Sequence, residues 1–371
     1  MANLLSSVVP KLLASLQDRL RANAITARLT NSAFSSIAAA KGSTISVPFP
    51  GAATVRDVVP AAVPPASVDI TPAEVLVQLD QWKEAEFHLT DKQQLEVMEG
   101  FIPRQATAAM SQLIDAIDST ILAAMNIGAG AALGTAGTTP FSTLALALEP
   151  LATMGAHLLP NENRHVLMDP FAQANLLTLE PFTNGTFTGD VDAMTAGRLN
   201  QRAGMAWWMD QNCPQHVKGA GAGYLVNNAG PYAIGTTSIV LDTGTGQIKA
   251  GDVVTFAGDT NKYVVAADLT GAGTLSINAP GLKATLADNV AMTILNTHRA
   301  NFAFQSDGVV FASRPFVESG TAVYSQQMAD PISGISVRLE IMRQHKQDKW
   351  SFDAQWGTKV IRPQSVIKVM G

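Results

Sequence analysis

The chain has 371 residues, of which 47% are hydrophobic and only 15% charged, with a net charge of −5. Soluble domains ordinarily carry about a quarter charged residues, so this composition excludes general disorder and predicts that part of the folded surface meets other protein. The acidic balance excludes a dedicated nucleic-acid binder, which needs a basic surface over the phosphates. The single cysteine, Cys213, excludes an intramolecular disulfide framework.

The N-terminal region is predicted to be an amphipathic helix. Residues 9–29 carry apolar side chains at helical spacing, namely Leu12, Leu13, Leu16, Leu20 and Ile25. The region lacks the apolar core and cleavage site of a secretory signal, and Gly, Thr, Asn and Ser interrupt every long uncharged stretch of the chain. We therefore expect no membrane-spanning helix and synthesis as a soluble cytoplasmic protein.

Residues 42–89 have the alternating pattern of extended structure. Strands are predicted at 43–50, 67–71, 75–82 and 85–89, with a Pro-rich turn at 59–65. Together they predict a long hairpin with little core of its own. Because an isolated ribbon is marginal in water, we expect it to lie on another part of the protein.

A long helix is predicted over residues 90–126. Thr90 or Asp91 can cap it, apolar residues then keep a helical period, and Pro103 is expected to kink it. Such a helix is longer than one compact domain requires.

An α/β core is predicted after this helix. A Gly/Ala/Thr linker covers residues 128–139 and precedes a helix over 141–154, which Pro150 should bend or end. A buried strand at 164–170 then turns directly into a further helix that begins at Phe171.

The region between residues 217 and 295 has a different composition. Glycine and threonine become frequent, and short strands recur at 237–241, 253–256, 263–266, 274–277 and 290–294. This spacing predicts a β-barrel or sandwich that residues 219–223 join through a flexible glycine hinge. Strands return at 302–304, 309–312, 337–342 and 355–361, so the β-region is predicted to be an insertion.

No pattern indicates enzyme chemistry. The six histidines lack the spacing of metal ligands, and Cys213 has the surroundings of an inert thiol. The string Asp242-Thr243-Gly244 matches aspartic proteases, but its position between two strands favours a turn. The pair Trp207-Trp208 favours a core or subunit contact over a sugar or base platform. We predict no catalytic, cofactor-binding or metal residues, no cofactor, and no enzyme.

The order of these elements resembles the major capsid (coat) protein of tailed bacteriophages, a fold shared with the capsid floor of herpesviruses and with encapsulins. Stretches that carry the resemblance are Val75–Thr90, Asn163–Pro170, Gly251–Gly258 and Lys262–Val265. The β-region makes the chain most similar to podovirus coat proteins with an inserted β-barrel domain. The resemblance implies an α+β fold with five parts: an N-terminal helical arm (1–41), an extended β-hairpin loop (42–89), a spine helix with an α/β core of peripheral and axial domains (90–216), an inserted β-barrel (217–297) and return strands of the core (298–371).

The resemblance also implies a function. The subunit would self-assemble, as hexamers and pentamers, into an icosahedral shell that encloses double-stranded DNA in the virion, with a portal protein as a further partner and only weak contact with the DNA. Some family members cross-link through a lysine on the extended loop, but residues 42–82 contain no lysine. Because only the arm and loop precede the spine helix, we expect a separate scaffolding protein and no large maturation cleavage. Two alternatives remain at this point: an encapsulin-like compartment, or a glycan-binding adhesin.

Overall fold

A computed structural model describes residues 13–21, 23–34, 44–49, 57–58, 60, 73–92, 101–184, 196–316 and 324–371. The predicted strand at 67–71, most of the Pro-rich turn and residues 93–100 of the predicted long helix lie outside the described residues.

The helices follow the predicted order. Residues 13–21 are helical, and the named helices are α1 (Ile25–Leu29), α2 (Phe101–Gly128), α3 (Leu144–Ala156), α4 (Pro170–Leu176) and α5 (Glu180–Thr183). Helix α2 has 28 residues and is therefore about 42 Å long at roughly 1.5 Å per residue. Pro150 was predicted to bend or end this helix; it lies inside α3, which continues to Ala156, so the helix does not end there.

Caps explain where α3 and α4 begin. The Thr143 hydroxyl accepts the Leu146 N–H at 3.3 Å, and the Asp169 carboxyl accepts the Ala172 N–H at 2.9 Å. Pro170 occupies the first position of α4, where its missing N–H costs nothing. The predicted strand that turns directly into a helix is thus confirmed.

The first strands of the chain are β1 (Thr44–Phe49), β2 (Ala73–Gln78), β3 (Gln81–Thr90), β4 (Ala131–Gly134), β5 (Arg164–Met168), β6 (Gln201–Arg202), β7 (Met205–Met209) and β8 (Gln215–His216). Strands β1 and β2 form an antiparallel ribbon, as predicted. Strand β3 does not extend that hairpin, because it pairs over its whole length with a C-terminal strand. Residues 128–139, which were predicted to be a linker without strands, contain β4, so this prediction is also wrong.

The strands of the short-stranded region are β9 (Leu225–Val226), β10 (Ser238–Asp242), β11 (Gln247–Ile248), β12 (Val253–Phe256), β13 (Tyr263–Val264), β14 (Leu269–Thr270), β15 (Gly273–Ser276) and β16 (Met292–Ile294). They form three small sheets of two or three strands. The three sheets enclose one apolar core that includes Tyr224, Leu241, Phe256 and Leu275.

The predicted hinge at 219–223 is wrong. The Gly221 N–H donates to the Gln247 carbonyl at 2.9 Å, and Ala222 forms a backbone bridge with Thr245. A Cβ on Gly219 would lie 2.2 Å from the Gln247 carbonyl oxygen. The glycines therefore permit close backbone packing rather than flexibility.

The last strands are β17 (His298–Gln305), β18 (Val309–Arg314), β19 (Tyr324–Ala329), β20 (Ser336–Gln344), β21 (Gln347–Val360) and β22 (Val366–Met370). A seven-stranded sheet has the order β4-β22-β17-β5-β7-β6, with β8 also paired to β17. A five-stranded sheet has the order β18-β21-β20-β19, with β3 also paired to β21. The predicted return of strands after the β-region is confirmed.

One main apolar core joins the long helix to both large sheets. Its members include Met110, Leu113 and Ile117 of α2, Leu339 and Phe352 of the five-stranded sheet, and Phe302 and Phe304 of the seven-stranded sheet. Leu16 and Leu20 are fully buried in this core, so the stripe predicted for the N-terminal helix is confirmed and its partner is the main core. The opposite face of the seven-stranded sheet packs on α3 and α4 through a second core.

Candidate functional site

The β1–β2 ribbon is anchored on one face and open along one edge. Ile45, Val47 and Val77 are buried, and they pack against Val310 and Ala312 of β18. This contact meets the expectation that the ribbon lies on another part of the protein. In the part of the chain that the structure describes, β1 pairs with β2 alone, so its outer edge is available for pairing with another chain.

Close backbone contact fixes the base of this ribbon. The Lys359 ammonium donates to the Leu76 carbonyl at 3.0 Å. Gly357 lies directly beneath the chain, since a Cβ there would be 2.0 Å from the Gln78 carbonyl oxygen. The ribbon is therefore held at the point where it leaves the five-stranded sheet.

An exposed aromatic side chain lies next to the ribbon. Trp82 is 65% exposed, and its indole N–H donates to the Asp353 carboxylate at 3.1 Å. Arg338 holds the same carboxylate through two hydrogen bonds of 3.0 and 2.7 Å, and its guanidinium lies 4.6 Å from the Phe316 ring. A fixed, exposed indole of this kind suits a contact with a protein partner.

Ion pairs cover the surface where β3 leads towards the long helix. Arg343 pairs with Asp91 at 2.7 Å and with Asp348 at 2.9 Å, and Lys349 pairs with Glu84 and Glu86. The hydrogen bond from Arg343 lowers the pKa of Asp91. Because these groups are exposed, their pairing contributes little to subunit stability.

A buried carboxyl anchors the N-terminal segment to the long helix. The Asp118 side chain, 1% exposed, accepts the Ile25 N–H at 3.2 Å and the Ala27 N–H at 3.3 Å. The neighbouring Thr26 hydroxyl donates to Asp210 at 2.8 Å. Asp118 thus supplies acceptors for the first backbone N–H groups of α1, which has no side-chain cap, and Asp210 holds the Thr26 side chain in place.

The same burial changes the ionisation of this anchor. Burial, with a contribution from the nearby Asp210, raises the pKa of Asp118 to about 8, although the backbone N–H groups act in the opposite direction. The carboxyl is therefore mostly protonated near neutral pH.

This shift predicts a pH dependence of stability. The folded-state pKa of Asp118 lies above its ordinary value of 3.8, so between about pH 4 and pH 8 the folded chain binds this proton more tightly than the unfolded chain. Its contribution to the free energy of unfolding is present at low pH and is lost as the pH rises to about 8. Relative to the wild type, Asp118→Asn should gain about 2 kcal/mol between roughly pH 6 and pH 8.

Urea denaturation of both chains at the two pH values measures this difference. Asp115→Asn is the matched control, because Asp115 lies on the exposed side of the same helix and should show the wild-type pH dependence. An identical pH dependence for Asp118→Asn and the wild type would contradict the prediction.

A second buried polar cluster lies where the chain enters the short-stranded region. The Asn126 amide donates to His216 Nδ1 at 3.0 Å, and His216 Nε2 donates to Asp252 at 2.8 Å. Asp252 also accepts the Gly219 N–H at 3.1 Å and the Lys249 N–H at 2.8 Å. The Asp252 carboxyl therefore links the turn before β12 to the chain that enters the short-stranded region at His216 and Gly219. Through His216 it is also linked to Asn126 of the long helix α2.

Two further titratable groups complete this cluster. Lys368 is fully buried and donates to the Gly251 carbonyl at 2.9 Å. Burial lowers the pKa of Lys368 to about 7, although Asp252 acts in the opposite direction. Burial, followed by Lys368, lowers the pKa of His298 to about 4. The environment thus disfavours positive charge at both groups, as expected of a structural junction.

The aromatic pair and the cysteine occupy the interior. Trp207 is 4% exposed and packs edge-on against Phe141 and Phe182, at ring distances of 5.7 and 5.3 Å, so the predicted core role is confirmed. The Arg28 guanidinium lies 5.5 Å from the Trp208 ring. Burial raises the pKa of the Cys213 thiol, which fits the predicted inert thiol.

The segment Asp242-Thr243-Gly244 is a tight turn at the end of β10, as predicted. The Gly244 N–H donates to the Asp242 carbonyl at 2.6 Å, and Thr243 has φ of 56°. A Cβ on Gly244 would lie 2.1 Å from the Tyr224 ring, so the turn requires glycine.

The sequence patterns did not indicate Asp118, Asp252 or Lys368 as structural residues. Each has partners far away along the chain, and Asp118 and Asp252 also have polar neighbours in the sequence. Only Lys368 stands alone among apolar residues, and this isolated charge is the one signal that could have identified it.

The described residues contain no cluster of three or more His, Cys, Asp or Glu side chains that could hold a metal ion. Over the same residues, no helix is both long and apolar enough to cross a membrane.

Comparison with known proteins identifies the fold. The sequence matches no protein-family model and no curated protein. In contrast, the structure is similar to a chain of Mycobacterium phage Che8, with 16% identity and a TM-score of 0.55 over 93% of this chain and 90% of that one. It is also similar to a chain from the capsid structure of cyanophage P-SCSP1u, with 14% identity and a TM-score of 0.51 over 92% of this chain and 84% of that one. The chain therefore has the mixed α and β fold of tailed-phage capsid proteins, as the order of its elements indicated.

Proposed function

We propose that this chain is a major capsid protein that self-assembles into an icosahedral shell around a double-stranded DNA phage genome. The observation that carries the proposal is the similarity of nearly the whole fold to the two phage chains. The anchored ribbon with an open strand edge, and the exposed Trp82 beside it, supply surfaces that suit association between copies. The work of the protein is then association rather than catalysis.

The proposed division of the chain follows the resemblance. Residues 1–41 form the N-terminal arm, 42–89 the extended loop, 90–216 the spine helix with peripheral and axial domains, and 298–371 the return strands. Two features argue for small changes to these boundaries. Strand β3 belongs to the five-stranded sheet, and the arm is fixed to the long helix by Asp118.

Residues 217–297 are proposed to be an inserted β-domain. Their own apolar core supports this, as does the pairing of Gln215-His216 with His298-Arg299, which brings the two ends of the region side by side. The buried junction around Asp252 ties the domain to the core, so its proposed role is to stabilise the subunit or its contacts with neighbours.

The proposed partners are further copies of the chain in hexamers and pentamers, a separate scaffolding protein and a portal protein. The net charge of −5 supports only weak contact with the packaged DNA, because like charges repel. The lack of lysine in residues 42–82 supports association without cross-links through the extended loop.

Sedimentation velocity and negative-stain imaging test the proposal. The full chain is purified alone and after co-expression with a candidate scaffolding protein from the same genome. Closed, shell-sized particles are expected, and in infected cells they should contain nuclease-protected DNA. Particles filled with protein cargo would favour an encapsulin-like compartment, and small oligomers under every condition would refute the shell.

A further inference from the structure

Leu158 has both an unusual exposure and an unusual backbone conformation. It is a large apolar side chain that is 91% exposed, and its backbone has φ of 55°, a conformation that strongly favours glycine. It directly follows α3, where its N–H donates to the Gly155 carbonyl at 3.0 Å and the Leu159 N–H donates to the Met154 carbonyl at 3.2 Å. Glycine is the usual residue at this position of a helix end.

The loop that carries Leu158, residues 157–163, is rigidly held. Arg164, 4% exposed, donates from Nε to the Pro160 carbonyl at 2.8 Å and from Nη2 to the Leu159 carbonyl at 2.7 Å. His157 Nδ1 donates to the Gln364 carbonyl at 2.8 Å. A buried guanidinium therefore holds the loop backbone on which Leu158 is exposed.

The loop lies at one end of the seven-stranded sheet. Strands β4, β5 and β22 all begin at this end, because β4 is parallel to β22, and β5 and β22 are both antiparallel to β17. Ile127, which precedes β4 and is 41% exposed, belongs to the same end. This end of the subunit therefore presents apolar side chains on a firm support.

We propose that Leu158 is a contact residue that packs against a second copy of this chain. The proposal rests on the shell function proposed above, which supplies the neighbouring copy. Residues 157–163 contain no lysine or arginine that could pair with the phosphates of the other abundant shell component, DNA, so a second copy of the chain is the better partner for an apolar side chain there. Residues that break local rules without benefit to their own fold are expected at functional positions.

The test compares subunit stability with assembly in the full-length chain. Leu158→Gly removes both the strained conformation and the apolar side chain, and Leu158→Ala removes only most of the side chain. For the unassembled Leu158→Gly subunit we expect a thermal unfolding midpoint equal to or above that of the wild-type subunit. The protein concentration that this variant needs to form particles should be at least tenfold higher than for the wild type. Leu158→Ala should show the same assembly defect.

The control is Lys346→Gly, which relieves a similar φ of 57° in the β20–β21 turn and should assemble as the wild type does. Normal assembly of both Leu158 variants, with a wild type that forms shells, would overturn this inference alone. A lower thermal midpoint for Leu158→Gly would assign the leucine to the subunit fold and would also overturn it. A wild type that never forms shells would refute the proposed function first.

Discussion

Asp252→Ala should destabilise the short-stranded region by about 3–5 kcal/mol, because it removes the acceptor that holds the buried junction together. The side chain is fully buried, and three donors converge on it: His216 Nε2 and the N–H groups of Gly219 and Lys249. Alanine would leave all three without that acceptor in a site closed to water. An unpaired buried donor costs about 1–3 kcal/mol.

In this variant the short-stranded region should unfold before the rest of the subunit, because residues 217–297 have an apolar core of their own. Urea denaturation measures the free energy of unfolding, and amide hydrogen exchange should show the first loss of protection in this region. The control is Asp268→Ala, which also removes an acceptor of backbone N–H, from Ala250 at 2.7 Å, but at an exposed site. It should cost no more than about 1 kcal/mol. Equal stabilities of the two variants would contradict the assigned role of Asp252.

Local sequence patterns predicted the helices and strands that bury one apolar face. The helical spacing of Leu16 and Leu20 and the apolar stretch that became β5 each report on a segment's own neighbours. These signals are strong because hydrophobic periodicity and caps act within a few residues. The order of the elements was then enough to indicate the fold.

The predictions for β3 and for residues 219–223 failed because they depended on distant chain segments. Strand β3 was assigned to the hairpin because its partner, β21, is more than 250 residues away. The glycines at 219–223 look like a hinge until the Gln247 backbone, which packs against them, is known. Pro150 does not end α3, because packing of Ala147 and Met154 in the second core outweighs the local cost.

The buried polar residues were missed for the same reason. Asp118 meets α1 across 91 and 93 residues of sequence, and Lys368 meets Gly251 across 117. Apart from the position of Lys368 among apolar residues, no local pattern distinguishes these residues from solvated charges. The proposed contact residues Leu158 and Trp82 present a related problem, since their exposure is a property of the folded subunit and not of its sequence.

Gly357→Ala should detach the β1–β2 ribbon from the five-stranded sheet. The added Cβ would lie 2.0 Å from the Gln78 carbonyl oxygen and 2.7 Å from its carbonyl carbon, and both are backbone atoms that no rotamer change can move. The chain must shift, which withdraws Leu79 from its buried contact with Ile45 and Ala312. We expect a loss of about 2–4 kcal/mol in subunit stability, as for an overpacked core.

The effect on assembly should be larger than the effect on the subunit, because a displaced ribbon no longer presents its open edge in a fixed position. Limited proteolysis should cut Gly357→Ala within residues 44–78 much faster than the wild type, and particles should be absent under conditions in which the wild type forms them. Gly230→Ala is the matched control, since no atom lies within 4 Å of its added Cβ and its φ is not in the left-handed region. Wild-type proteolysis and normal particles for Gly357→Ala would show that the ribbon does not depend on this contact. Slow proteolysis without particles would instead separate ribbon docking from assembly, and would point to an assembly role for the five-stranded sheet itself.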